Sequence, residues 1–94
     1  MNRKPEVRIA RSIAPKSAGI TWVFKGAVDA ASLELHVANR IWSEILLKYG
    51  VNNLSLTDQI PSNAITEVEV LAQQTVDRDG PPDDGVLVIL TRSQ

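Results

Sequence analysis

"DAASLELHVANRIWSEILLKYG", residues 29–50, decides how the rest of the chain is read. Counted at helical spacing, Ala31, Leu35, Ala38, Trp42, Ile45 and Tyr49 fall three or four apart and form one apolar stripe, widened by Ile41 and Leu46. His36, Asn39, Arg40 and Ser43 fall on the other side, and Glu44 and Lys48 make a favourable i,i+4 pair. Asp29 carries a carboxylate suited to the first orphan N–H groups of a helix, and Gly50 stands where a C′ glycine belongs. The spacing therefore predicts a helix over Ala30–Tyr49, roughly 30 Å long at about 1.5 Å per residue. Three apolar residues do not join its main stripe. Leu33, Val37 and Leu47 form a narrow second stripe, expected to face outward and to serve as partner-interface candidates.

Upstream, "EVRIARSI" (6–13) alternates, with Val7 and Ile9 on one face and Glu6 and Arg8 on the other. "APKSAG" (14–19) reads as a loop, and "ITWVFK" (20–25) as a second strand with Ile20, Trp22 and Phe24 on one face. The two runs are close enough to pair as a hairpin, which Gly26 ends. Downstream, "NLSLTDQIP" (53–61) reads as a short edge strand and a turn at Pro61. "SNAITEVEVLAQQTV" (62–76) carries two patterns. Ile65, Val68, Leu71, Ala72 and Val76 follow helical spacing, whereas Val68, Val70 and Ala72 alternate with Glu67, Glu69 and Leu71. Its content of Ile, Val and Thr, which lose side-chain freedom in a helix, favours a strand. "GVLVILTR" (85–92) is a continuous apolar run, expected as a central strand covered at least in part on both faces. The resulting expectation is an α+β fold of order ββαβββ. A small mixed sheet would carry one long amphipathic helix on one face, in a β-grasp-like arrangement.

Residues 1–94 read as one domain; a chain of this length buries about 60–65% of its unfolded surface. There is no cysteine, so neither disulfides nor thiol chemistry arise, and a reducing cytosol is the expected setting. No apolar run approaches the roughly 20 residues that span a bilayer, and no secretory h-region follows the charged start. The net charge is −1, but residues 1–27 hold six basic and one acidic side chain against four basic and ten acidic in the remainder. Such asymmetry marks either a segment facing nucleic acid or two halves that neutralise each other in the fold, and the second is the commoner case.

The acidic run "DRDGPPDDG" (77–85) puts four carboxylates into nine residues. As a calcium loop its register is wrong. Gly80 stands at position 4 rather than 6, and position 12 is Val88 rather than a bidentate Glu. Two prolines that cannot donate to a sheet ladder make it an expected solvated hairpin tip. His36 is the sole histidine, too few for a zinc site without cysteines. Ser32 and Ser43 lie near it, but neither sits on a strained turn, and no glycine-rich phosphate loop is present. No catalytic, metal or cofactor residues are therefore assigned.

The expected function is a non-enzymatic protein-interaction module, an adaptor or small subunit of a bacterial or phage-like assembly, self-associating or bound to another protein. The alternative is weak nucleic-acid binding through Arg3, Lys4, Arg8, Arg11 and Lys16, with Trp22 as a stacking platform. A large aromatic on an apolar strand face is more often core, which weakens that platform. A winged helix-turn-helix also fits the element order if 62–76 is helical. Its recognition helix would then carry Glu67 and Glu69 and no base before Arg78, the wrong sign for phosphate contact.

Overall fold

The computed structural model describes residues 5–11, 13, 15–51 and 60–91. It is an α+β fold, a five-stranded mixed sheet with helices on one face. The strands are β1 (Val7–Ile9), β2 (Lys16–Ala18), β3 (Thr21–Val28), β4 (Ala31–Ala38) and β5 (Val86–Ile89). The helices are α1 (Asn39–Lys48) and α2 (Ser62–Asp79). The sheet runs β1-β3-β4-β5, with β2 lying beyond β1 on the same edge of β3. All pairs are antiparallel except β4 with β5, which are parallel because both helices intervene between them. The first run does pair antiparallel with the second strand, but through Gly26–Val28, beyond the expected end of the hairpin, and residues 21–23 pair with β2 instead. Part of the segment expected as a loop, however, is itself the short strand β2, and Ile20 is 76% exposed at the β2–β3 turn.

The expected long helix is a strand in its first half. Residues 31–38 pair along their whole length with β3, from Val28↔Ala31 to Thr21↔Ala38. Leu33, Leu35 and Val37 are two residues apart, and all three are buried. A period of two and a period of 3.6 both fit so short an apolar set, and the eight-residue ladder with β3 selects the former. Asp29 is then not a helix cap. It occupies the β3–β4 turn at φ 53, a left-handed conformation that Asp tolerates better than most residues. Its N–H donates to the Glu6 carbonyl (2.9 Å), and its carboxylate accepts from the Glu6 N–H (3.1 Å).

The chain turns from strand to helix at Asn39, whose N–H donates to the Ile20 carbonyl and whose side-chain amide donates to the Gly19 carbonyl. From there the helical stripe holds, with Ile41, Trp42, Ile45 and Leu46 buried. Trp42 meets Phe24 edge to face, centroids 4.9 Å apart. The exit is as the sequence implies. Gly50 takes φ 83, its N–H bonds to the Leu47 carbonyl, and the Val51 N–H reaches the Leu46 carbonyl. These two bonds make a Schellman motif.

Residues 62–79 are helical, against the strand expected over 62–76. Ala64, Ile65, Val68, Ala72 and Val76 are buried on one stripe. The preference of Ile, Val and Thr against helix amounts to a few tenths of a kcal/mol each, whereas burying one Val- or Ile-sized side chain contributes about 1.5–3 kcal/mol. The stripe therefore outweighs the propensity. The Thr66 and Thr75 hydroxyls donate back to the carbonyls of Ser62 (3.1 Å) and Leu71 (3.0 Å), so neither competes with the helix.

The core lies between the helices and the sheet face made by Val7, Ile9, Trp22, Phe24, Val28, Leu33, Leu35, Val37, Leu87 and Ile89. Among the described residues no helix covers the opposite face. β5 is an edge strand, not the central strand expected from its apolar run. The short strand expected within 53–61 falls largely on residues outside the described ones.

Candidate functional site

The two outer edges of the sheet are treated differently, and this contrast defines the candidate site. On β1, the odd residues turn their main-chain groups away from β3 and toward α2. There Gln73 Oε1 accepts from the Val7 N–H (2.9 Å), and Glu69 Oε2 accepts from the Ile9 N–H (2.7 Å). Gln73 Nε2 donates to the Pro5 carbonyl (2.8 Å), and the Arg11 guanidinium donates to the Ile9 carbonyl (3.2 Å). Glu69 and Gln73 are one helical turn apart, so one face of α2 seals this edge as a neighbouring strand would. Its companion β2 is three residues long and exposed, with Lys16 on it, which suits a strand that does not recruit others.

β5 has no such cover among the described residues. Its register on β4 runs from Glu34↔Val86 to Val37↔Ile89, and the Glu34 N–H donates to the Gly85 carbonyl at 2.7 Å. In a strand the N–H and C=O of one residue point to the same side and successive residues alternate. The groups of Gly85, Leu87 and Ile89 thus serve β4, and those of Val86, Val88 and Leu90 point outward. The Val86 N–H is taken by Asp84 Oδ1 within its own turn (3.1 Å). This leaves the Val86 carbonyl and both groups of Val88 and of Leu90. Val88 is 49% and Leu90 52% exposed.

The uncovered sheet face adjoins this edge. Lys25 and Glu34 stand opposite each other there, as do Val23 and His36. Glu34 accepts from Lys25 Nζ (3.0 Å) and is bonded to His36 Nε2 (2.7 Å). The Lys25 hydrogen bond, with that of His36, holds the Glu34 carboxyl below its ordinary range. His36 is therefore a half-buried strand residue, not an exposed one on a helix. The group lies on an open surface rather than in a pocket. A cleft of about 510 Å³ lies instead between the β3–β4 turn and the α2–β5 connection, lined by Val28, Leu33, Pro81 and Pro82 among others. Its lining holds no histidine, lysine or arginine, and its titratable side chains are Asp29 and Asp83.

The residues proposed from sequence are dispersed. Of the interface candidates, Leu33 and Val37 are 3% and 0% exposed and belong to the core, and only Leu47, at 61%, faces solvent. Of the basic set, Arg3 and Lys4 lie outside the described residues. Arg8 pairs with Glu6 (2.9 Å), and Arg11 pairs with Glu69 (3.2 Å) and donates to Thr66 (2.8 Å). Lys16 lies exposed on β2. Trp22 is in the core. A winged helix-turn-helix would need a helix where β4 stands. The acidic run is not a hairpin tip. Asp77 and Asp79 belong to the last turn of α2, Gly80 caps it at φ 83, and the rest leads into β5. Asp77 accepts from Gln73 (3.0 Å), and Asp79 is held below the ordinary carboxylate range by the Arg78 guanidinium. Among the described residues no cluster of His, Asp or Glu could hold a metal ion, and no helix is long and apolar enough to cross a membrane.

Sequence reasoning missed both edges. The Glu69–Gln73 spacing becomes visible only once 62–79 is read as a helix, and β5 looked central because its run is apolar. No family model matches the chain, and neither a curated protein nor a solved structure matches it.

Proposed function

We propose that this chain is a non-enzymatic protein-interaction module, an adaptor or small subunit of an assembly, which engages its partner by strand addition at β5. The observation that carries the reading is the contrast between a sealed β1 edge and an apolar β5 edge that is bare among the described residues. A bare edge offers main-chain hydrogen bonds for affinity and alternate side chains for specificity. Exposed apolar edges invite non-specific pairing, so one left open beside a carefully closed one is best explained by use. Nucleic-acid binding through Arg8 and Arg11 gains no support, because both are engaged by carboxylates of the chain itself.

The test is Val88→Pro. The Val88 N–H points away from β4, so proline there removes an outward donor without breaking the β4–β5 ladder. Wild type and variant are each tagged, cross-linked in native cells and analysed for adducts. Adducts formed by wild type and lost in a folded variant support the reading. Adducts unaffected by the substitution, or none from either protein, overturn it.

A further inference from the structure

We infer that the occupant of the β5 edge is a second copy of this chain, paired antiparallel about a twofold axis at Val88. This rests on the interaction reading above and goes beyond it by naming the partner and the register.

The free groups of β5 are symmetric about Val88. An antiparallel pair centred there makes Val88 face Val88 of the other copy as a hydrogen-bonded pair, each donating to and accepting from the other. The Leu90 N–H of each copy then meets the Val86 carbonyl of the other. The Val86 N–H, already held by Asp84, is not required. No outward group of Val86 to Leu90 is left over except the Leu90 carbonyl, whose counterpart would be that occupied Val86 N–H.

The side chains are self-complementary in the same register. By strand alternation Val86, Val88 and Leu90 share the uncovered face. Pairing sets Val86 against Leu90 and Val88 against Val88, and apolar cross-strand pairs of this kind are stabilising. On the other face Leu87 would stand opposite Ile89, extending the core side of one sheet into the next. From Val86 to Leu90 the strand carries no charge, so self-pairing meets no like-charge repulsion. An isologous contact of this type closes as a dimer, and the sealed β1 edge prevents the sheet from growing further.

The test measures mass in solution and uses charge to read the register. Wild type should have twice the 10.3 kDa mass of one chain. Val88→Lys and Val88→Glu should each run as monomers, because like charges then stand directly opposite each other. Mixed in equal amounts they should recover the doubled mass, since Lys faces Glu only if position 88 pairs with itself. Circular dichroism of each variant establishes that the fold is intact, and Val88→Pro should also be monomeric. A monomeric wild type overturns the inference. So does a dimer that survives all three substitutions, or a Lys–Glu mixture that stays monomeric. If wild type is monomeric yet its cellular adducts depend on Val88, the second copy is wrong and the interaction reading stands. If those adducts are absent too, both fail.

Discussion

Gly26 on β3 stands opposite Ile9 on β1. A methyl group at this position would come 2.3 Å from the Arg8 carbonyl oxygen and 3.0 Å from Ile9 Cδ1. The first is main chain, which cannot rotate away as a side chain would. Gly26→Ala should therefore push β1 off β3 and destabilise the fold by about 1–3 kcal/mol, the range for overfilled cores. The denaturation midpoint measures it, and an unchanged midpoint would mean that β1 shifts freely. In sequence this glycine looked like a strand terminator. It is instead a mid-strand residue that makes room for a neighbour, and only the Ile9↔Gly26 pairing reveals that role. Glu69 makes the same point with polar chemistry. As one letter in an acidic, β-branched run it looked like the polar half of a strand. In place it neutralises Arg11 and satisfies the Ile9 N–H.

β4 and α1 together occupy the stretch that looked like one helix, and they fail as a helix because of Leu33 and Val37. These two could not join the helical stripe, and the strand places both inside beside Leu35. The two leucines that sequence spacing grouped together should therefore respond in opposite ways. Leu33→Glu forces a carboxylate into the core and should abolish folding, since an unpaired buried charge costs far more than a small domain's stability margin. Leu47→Glu, on the outer side of α1, should change stability by no more than about 0.5 kcal/mol. Thermal unfolding of the two single variants decides it. A folded Leu33→Glu protein would mean that residues 31–38 do not form the strand. For α2 the sequence held both periods. What selected the helix was the collective burial of five stripe residues, which no local preference of Val or Thr could offset.

At the scale of the whole molecule, the described residues close the sheet at β1 and leave it open at β5. Sealing of β1 by Glu69 and Gln73 should be what limits association to a closed pair. Glu69→Ala with Gln73→Ala would return the Val7 and Ile9 N–H groups to an open edge while leaving β5 as it is. A chain with two open edges can add copies indefinitely. The double variant should therefore scatter light increasingly with concentration, where wild type reaches a fixed mass. A double variant with the mass of wild type would show that β1 is closed by something other than these side chains.

The sequence by itself determined the α+β class, the strand character of the early runs, the helical stripe through Ile41, Trp42 and Ile45 with its glycine stop at Gly50, and the strand character of 86–89. Each of these follows from short-range chemistry: alternation, a stripe through Ile41, Trp42 and Ile45, and a residue free to take φ 83. The basic excess of residues 1–27 was also legible as charge that the fold could neutralise internally. Tertiary structure alone decided that 31–38 is a strand and 62–79 a helix, because both segments satisfy two periods and the choice lies with the surface that buries them. It alone decided that β5 lies at the edge. An apolar run records that a strand is buried by its faces, but whether its main-chain edge is also paired depends on which strands stand beside it, and no side-chain pattern carries that information.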